Sequence, residues 1–92
     1  MEEKYLYKEL TSEIISAFYK VYNELGFGFL EKVYENALHH ELEKQGFMSE
    51  RQKPIKVIYD NIIVGEYFAD ILVNDLVILE LKAVENLAIE HE

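Results

Sequence analysis

The chain has 92 residues, half of them hydrophobic, with 18 acidic against nine basic side chains for a net charge of −9, one proline and no cysteine. That size supports one small domain with a single modest core, and the composition excludes a disordered polar tail, a disulfide scaffold and a thiolate-bound zinc site. The charge argues against broad nucleic-acid binding through a basic surface, because phosphate contacts supply most of that affinity. No apolar run approaches the roughly 18 residues of a membrane span and no signal-peptide pattern opens the chain, so it is expected to be soluble, cytoplasmic and without membrane contact.

Met1 to Leu10 reads as a short polar lead-in. Thr11 is a candidate N-cap with Glu13 in the first turn, where the helix dipole favours an acid. Ile14, Phe18, Val21 and Leu25 recur at helical spacing and predict an amphipathic helix that stops at Gly26. After Gly26-Phe27-Gly28, a second helix is predicted from Phe29 to about Gln45, with Leu30, Val33, Ala37, Leu38 and Leu42 as its apolar stripe and Gly46 as its stop. His39 and His40 fall on its polar side and are expected to be solvated.

Gln52 to Tyr59 predicts a strand, Asp60-Asn61 a tight turn, and Ile62 to Val73 a second strand in which Gly65 marks a bulge. Leu76 to Val84 is a third strand, and Glu85 to Glu92 is expected to start a helix. The predicted fold is therefore α+β, two N-terminal helices followed by an antiparallel three-stranded meander. The third strand is apolar on both faces, as in the middle of a sheet, yet the meander leaves it at an edge. The chain is accordingly expected to be shortened, or completed by another copy or an unidentified protein through strand 76–84.

Three charges lie within the apolar runs around Asn74-Asp75: Asp70, Glu80 and Lys82. A buried charge is costly unless it is paired or binds a metal, so the three either neutralise one another or converge on a ligand. Glu80 and Lys82 share a face of their strand. A two-residue turn at Asn74-Asp75 sets Ala69 opposite Glu80, whereas a three-residue loop or a bulge sets Asp70 there. Converging carboxylates require the odd loop or the bulge, and that geometry is expected.

Gly28-Phe29-Leu30-Glu31-Lys32-Val33-Tyr34 matches the pattern GxxExxY, and it is followed in order by Gln52, Tyr59, Asp70 and Glu80-Leu81-Lys82-Ala83. With these motifs the chain, from about Thr11 to His91, resembles the GxxExxY family of PD-(D/E)XK nuclease-like proteins. Tyr22 stands where such relatives often carry histidine, and Gly26-Phe27-Gly28 where they carry Gly-Pro-Gly. The resemblance implies a restriction-endonuclease-like core, here residues 1–92 as a single shortened domain lacking its last helix and strand. It also implies a divalent-metal site, with Glu31 as the helix carboxylate, Asp70 and Glu80 as metal ligands, and Lys82 positioning or activating water. The backbone carbonyl of Leu81 would face the same metal.

Oxygen ligands of this kind suit Mg²⁺ or Mn²⁺, and phosphodiester hydrolysis needs both an activated water and positive charge at the phosphate. The function expected on these grounds is metal-dependent hydrolysis of nucleic-acid phosphodiester bonds. The alternative is a catalytically silent interaction module that assembles through its open third strand. Tyr34 is expected to be a core-edge aromatic with a satisfied hydroxyl.

Overall fold

The computed structural model describes the backbone of residues 2–82 and 86–91 and the side chains of residues 8–81. The elements follow in the order α1 (Glu2–Leu25), α2 (Glu31–Lys44), β1 (Ser49–Tyr59), β2 (Ile62–Val73), β3 (Val77–Lys82) and β4 (Asn86–His91). Both helices precede one antiparallel sheet of order β1-β2-β3-β4, which gives the expected α+β arrangement.

Helix α1 begins well before Thr11, which lies inside it and caps nothing. Leu10, Ile14, Ala17, Phe18 and Val21 form one continuous buried stripe, and the Glu, Lys and Leu residues before it favour helix. The Thr11 hydroxyl is buried without a hydrogen-bond partner. Helix α2 starts at Glu31, two residues later than expected, and buries Tyr34, Leu38 and Leu42. Leu30 lies outside the helix and is 80% exposed, and Val33 is turned toward solvent, so the buried stripe is rotated from the predicted one. The end of α2 follows the sequence closely. Gly46, at φ +96°, donates its N–H to the Glu43 carbonyl while Phe47 donates to that of Leu42, which is the glycine-terminated Schellman closure.

At the tip of the β1–β2 hairpin, Asp60 and Asn61 both have positive φ, as a type I′ turn requires. Beyond it Val57 pairs with Gly65 but Ile58 with Ile63, so Val64 is the extra residue of a bulge beside Gly65. The β2–β3 connection is the three-residue loop Asn74-Asp75-Leu76, because Val73 pairs with Val77.

The C-terminal segment departs from expectation. Residues 86–91 form a strand, not a helix, and pair along the whole of β3 from Val77↔His91 to Lys82↔Asn86. The register sets Leu87 across from Leu81 and Ile89 across from Leu79, so a period-two pattern met a strand edge whose backbone groups needed partners. The meander thus has a fourth strand, and the edge of β3 expected to be open is paired. The edges of the sheet are β1 and β4.

Packing follows from this register. Ile71 and Val73 of β2 and Val77, Leu79 and Leu81 of β3 meet Leu10, Ile14, Ala17 and Phe18 of α1 and Leu38 and Leu42 of α2 in the main core. Leu72, Ile78 and Ala69 form a second, smaller cluster with Ile55 packed against it. No described helix is long and apolar enough to cross a membrane.

Candidate functional site

The linker between the helices sets where Glu31 sits. Gly28 has φ +105°, a conformation open to glycine and strained for other residues. The Tyr34 hydroxyl donates to the Gly26 carbonyl at 2.6 Å and accepts the Phe29 N–H at 3.4 Å. Tyr34 itself is buried and stacks on Tyr22 at 6.0 Å, with Phe29 edge-on at 6.2 Å. The Gly28 and Tyr34 positions of the motif therefore shape the turn into α2, with the tyrosine hydroxyl satisfied as expected. Glu31 is left as the first helical residue, exposed, where the helix dipole favours its charge.

Asp70 occupies an interruption in the sheet. The β2–β3 ladder runs from Val73↔Val77 to Ile71↔Leu79, and the next facing positions are Asp70 and Glu80. There the Asp70 carboxylate accepts the Leu81 N–H at 2.7 Å. On the other side, β1 pairs Arg51 with Ile71 and Lys53 with Ala69, leaving Gln52 and Asp70 between them without a ladder pair. Gln52 has φ +52°, a left-handed backbone that costs a non-glycine residue about 1–3 kcal/mol. The pleat also changes phase here, since Ile71 packs in the main core whereas Ala69 packs in the second cluster. Strained backbone and broken ladders of this kind concentrate at functional positions.

The kinked Gln52 donates to Glu35 of α2 at 2.9 Å, and the other Glu35 oxygen takes Lys32 Nζ at 3.1 Å. Glu35 is buried with both its oxygens satisfied. Beside it, Arg51 donates to the Asn36 amide oxygen, and His39 Nδ1 lies 2.8 Å from the Ser49 hydroxyl. His39 is thus half-buried between α2 and β1 instead of solvated, its Nε2 3.3 Å from Glu43; His40 is exposed as expected. Glu35, Asn36 and His39 of α2 and Glu50, Arg51 and Gln52 of β1 are among the side chains that line an open groove of about 560 Å³ between the two elements.

Of the four residues expected to carry chemistry, the strands set Asp70 and Glu80 at facing positions, both half-buried. Glu31 stands apart at the head of α2. The backbone of Lys82 ends β3, and its side chain lies outside the described residues. Among the described residues, no three Asp, Glu or His side chains come together closely enough to hold a metal ion. Two carboxylates on adjacent strands remain a donor set that suits Mg²⁺, which takes one or two protein carboxylates and keeps several waters. Sequence reasoning missed Glu35, Asn36 and Arg51, and gave Gln52 no structural role. The Gly65 bulge was the signal that could have found Gln52, because that one-residue shift is what sets it, and not Arg51, opposite Asp70.

A two-helix layer on an antiparallel sheet, with an aspartate and a glutamate at facing positions of neighbouring strands, defines an α+β domain with a candidate two-carboxylate site. Residues 8–92 match the PD-(D/E)XK nuclease superfamily, and the chain belongs to it. Members of that superfamily typically use divalent metal ions. Comparison with curated proteins and with solved structures finds no match.

Proposed function

We propose that the chain hydrolyses phosphodiester bonds of nucleic acid with a divalent ion, Mg²⁺ or Mn²⁺, held by Asp70 and Glu80. The observation that carries this reading is the placement of Asp70, where the β1–β2 ladder is interrupted, the β2–β3 ladder ends, and its carboxylate is anchored on the Leu81 N–H next to Glu80. With one oxygen anchored, the carboxylate has a set direction and its second oxygen can serve a ligand. When bound, the ion supplies Lewis-acid polarisation of the phosphoryl oxygen and a lowered pKa for the attacking water. In the GxxExxY resemblance the Lys82 position, two residues beyond Glu80 on the same strand, is the one that supplies positive charge for the phosphate, whereas Glu31, apart at the head of α2, is left out of the ion's ligand set.

The test measures two quantities on wild type, Asp70→Asn and Asp70→Ala. Cleavage of labelled single- and double-stranded DNA and RNA is followed with Mg²⁺ and with Mn²⁺, and metal uptake is followed by titration. Wild type is expected to cleave at least one substrate, with a loss of about 100-fold or more in Asp70→Asn, since each tenfold corresponds to about 1.4 kcal/mol of lost stabilisation. No cleavage, together with identical metal isotherms for wild type and Asp70→Ala, would instead mark a catalytically silent domain.

A further inference from the structure

We infer that the groove between α2 and β1 is the path of the nucleic-acid backbone toward Asp70, with Arg51 as its phosphate-binding residue. This rests on the proposed nuclease reading and names the surface that delivers the substrate.

The charges within the groove carry the argument. Two of the lysines at or beside the groove have a carboxylate against them. Lys32 is paired with Glu35, and Lys53 is paired with Glu50 at 3.0 Å. Arg51 differs. Among the described residues its partner is the neutral Asn36 amide and no carboxylate forms an ion pair with it, so its charge is held in place by a neutral group. A guanidinium has about five N–H donors in a rigid planar fork, and one contact to Asn36 leaves donors for two oxygens of a phosphate. Both groove carboxylates already have cations against them, which removes the repulsion that an acidic domain would otherwise present to an anion. The next residue on β1 is Gln52, the one opposite Asp70, so a phosphate on Arg51 lies one strand position from the sheet interruption.

Binding of a short fluorescein-labelled oligonucleotide, single- or double-stranded, is measured by anisotropy across a salt series with Ca²⁺ replacing Mg²⁺. Cleavage is measured in parallel with Mg²⁺ or Mn²⁺. Arg51→Ala is expected to weaken binding about tenfold and to lower the salt slope by about one, with Arg51→Lys recovering part of the loss. Lys20→Ala removes the same charge from α1, away from the groove, and is expected to bind within about twofold of wild type. Unchanged thermal melting of Arg51→Ala confirms that folding is not what was measured. If Arg51→Ala matches wild type, or Lys20→Ala loses as much, the groove assignment falls. It also falls if wild type binds no oligonucleotide at low salt. Binding that depends on Arg51 without any cleavage leaves the groove standing and removes the nuclease reading. Cleavage with the same Kd and KM in wild type and Arg51→Ala does the reverse.

Discussion

The two halves of β2 are similarly apolar and have entirely different surroundings. Near the loop to β3, Ala69, Ile71, Leu72 and Val73 are all buried, under the helices on one face and in the smaller cluster on the other. Toward the tip, Val57, Ile58, Tyr59, Ile62, Ile63 and Val64 are 43% to 75% exposed, although the ladder continues to Tyr59↔Ile62. Turn chemistry and β-propensity are enough to build the whole ribbon. Which half becomes core is decided by the helix layer, which stops short of the tip. Gln52 and Asp70 sit at the seam between the covered and uncovered halves, where the ladder is free to break without opening the main core.

The sharpest way to break this contrast is to delete the same atoms on each side of the seam. Ile71→Ala in the covered half is expected to cost about 2–5 kcal/mol in urea denaturation, and Ile58→Ala in the tip less than about 0.5 kcal/mol. Equal losses would mean that something covers the tip in solution. At the seam, Asp70→Ala strips the Leu81 N–H of its acceptor and should cost about 1–3 kcal/mol, whereas Asp70→Asn keeps an acceptor oxygen and should cost less. A reversed order would show that the anchoring bond is not what holds Asp70. Tyr34→Phe removes the hydroxyl that bridges Gly26 and Phe29, and an expected loss near 1 kcal/mol measures how far that bridge helps seat α2 on the covered half.

The smallest expected effect concerns pH. Glu41 of α2 is held below its ordinary value of 4.5, chiefly by the Gln45 side-chain hydrogen bond and also by Lys20 and Lys44, against the opposing effect of burial. A depressed folded-state value means that the carboxylate stabilises the fold above the unfolded pKa and that this contribution is lost as pH falls through the folded one. Wild type should therefore lose stability relative to Glu41→Gln only on acidification below about pH 4.5, and parallel curves would rule the linkage out.

Much of this arrangement was legible from side-chain pattern. The Schellman glycine, the bulge at Gly65 and the odd loop after Val73 each rest on local chemistry, and each appears where expected. What was hidden depends on neighbours distant in sequence. The rotation of α2 that exposes Val33 and buries Tyr34 is set by the turn at Gly26–Phe29 and by docking on the sheet, and 3.6-residue periodicity alone cannot choose between adjacent faces. β4 was misread because Glu-rich residues after Val84 favour helix in isolation, while the partnerless edge of β3 rewards a strand. At the site, the opposition of Asp70 and Glu80 was readable from loop arithmetic. The left-handed Gln52 was not, since nothing in glutamine's own preferences asks for that backbone.

The order β1-β2-β3-β4 carries a consequence for how the molecule comes together. Each strand lies beside its successor in the chain, so no pairing has to wait for a distant segment, and the entropy lost in closing each connection is small. The sheet can zip hairpin by hairpin, in the order in which a ribosome would deliver it. Asp70 belongs to the strand shared by the first two hairpins, and its bond to Leu81 forms only when the second has closed. The carboxylate is thus aimed after its scaffold exists, so a slow folding phase that tracks Asp70 would report the closing of β3 and not the collapse of the core.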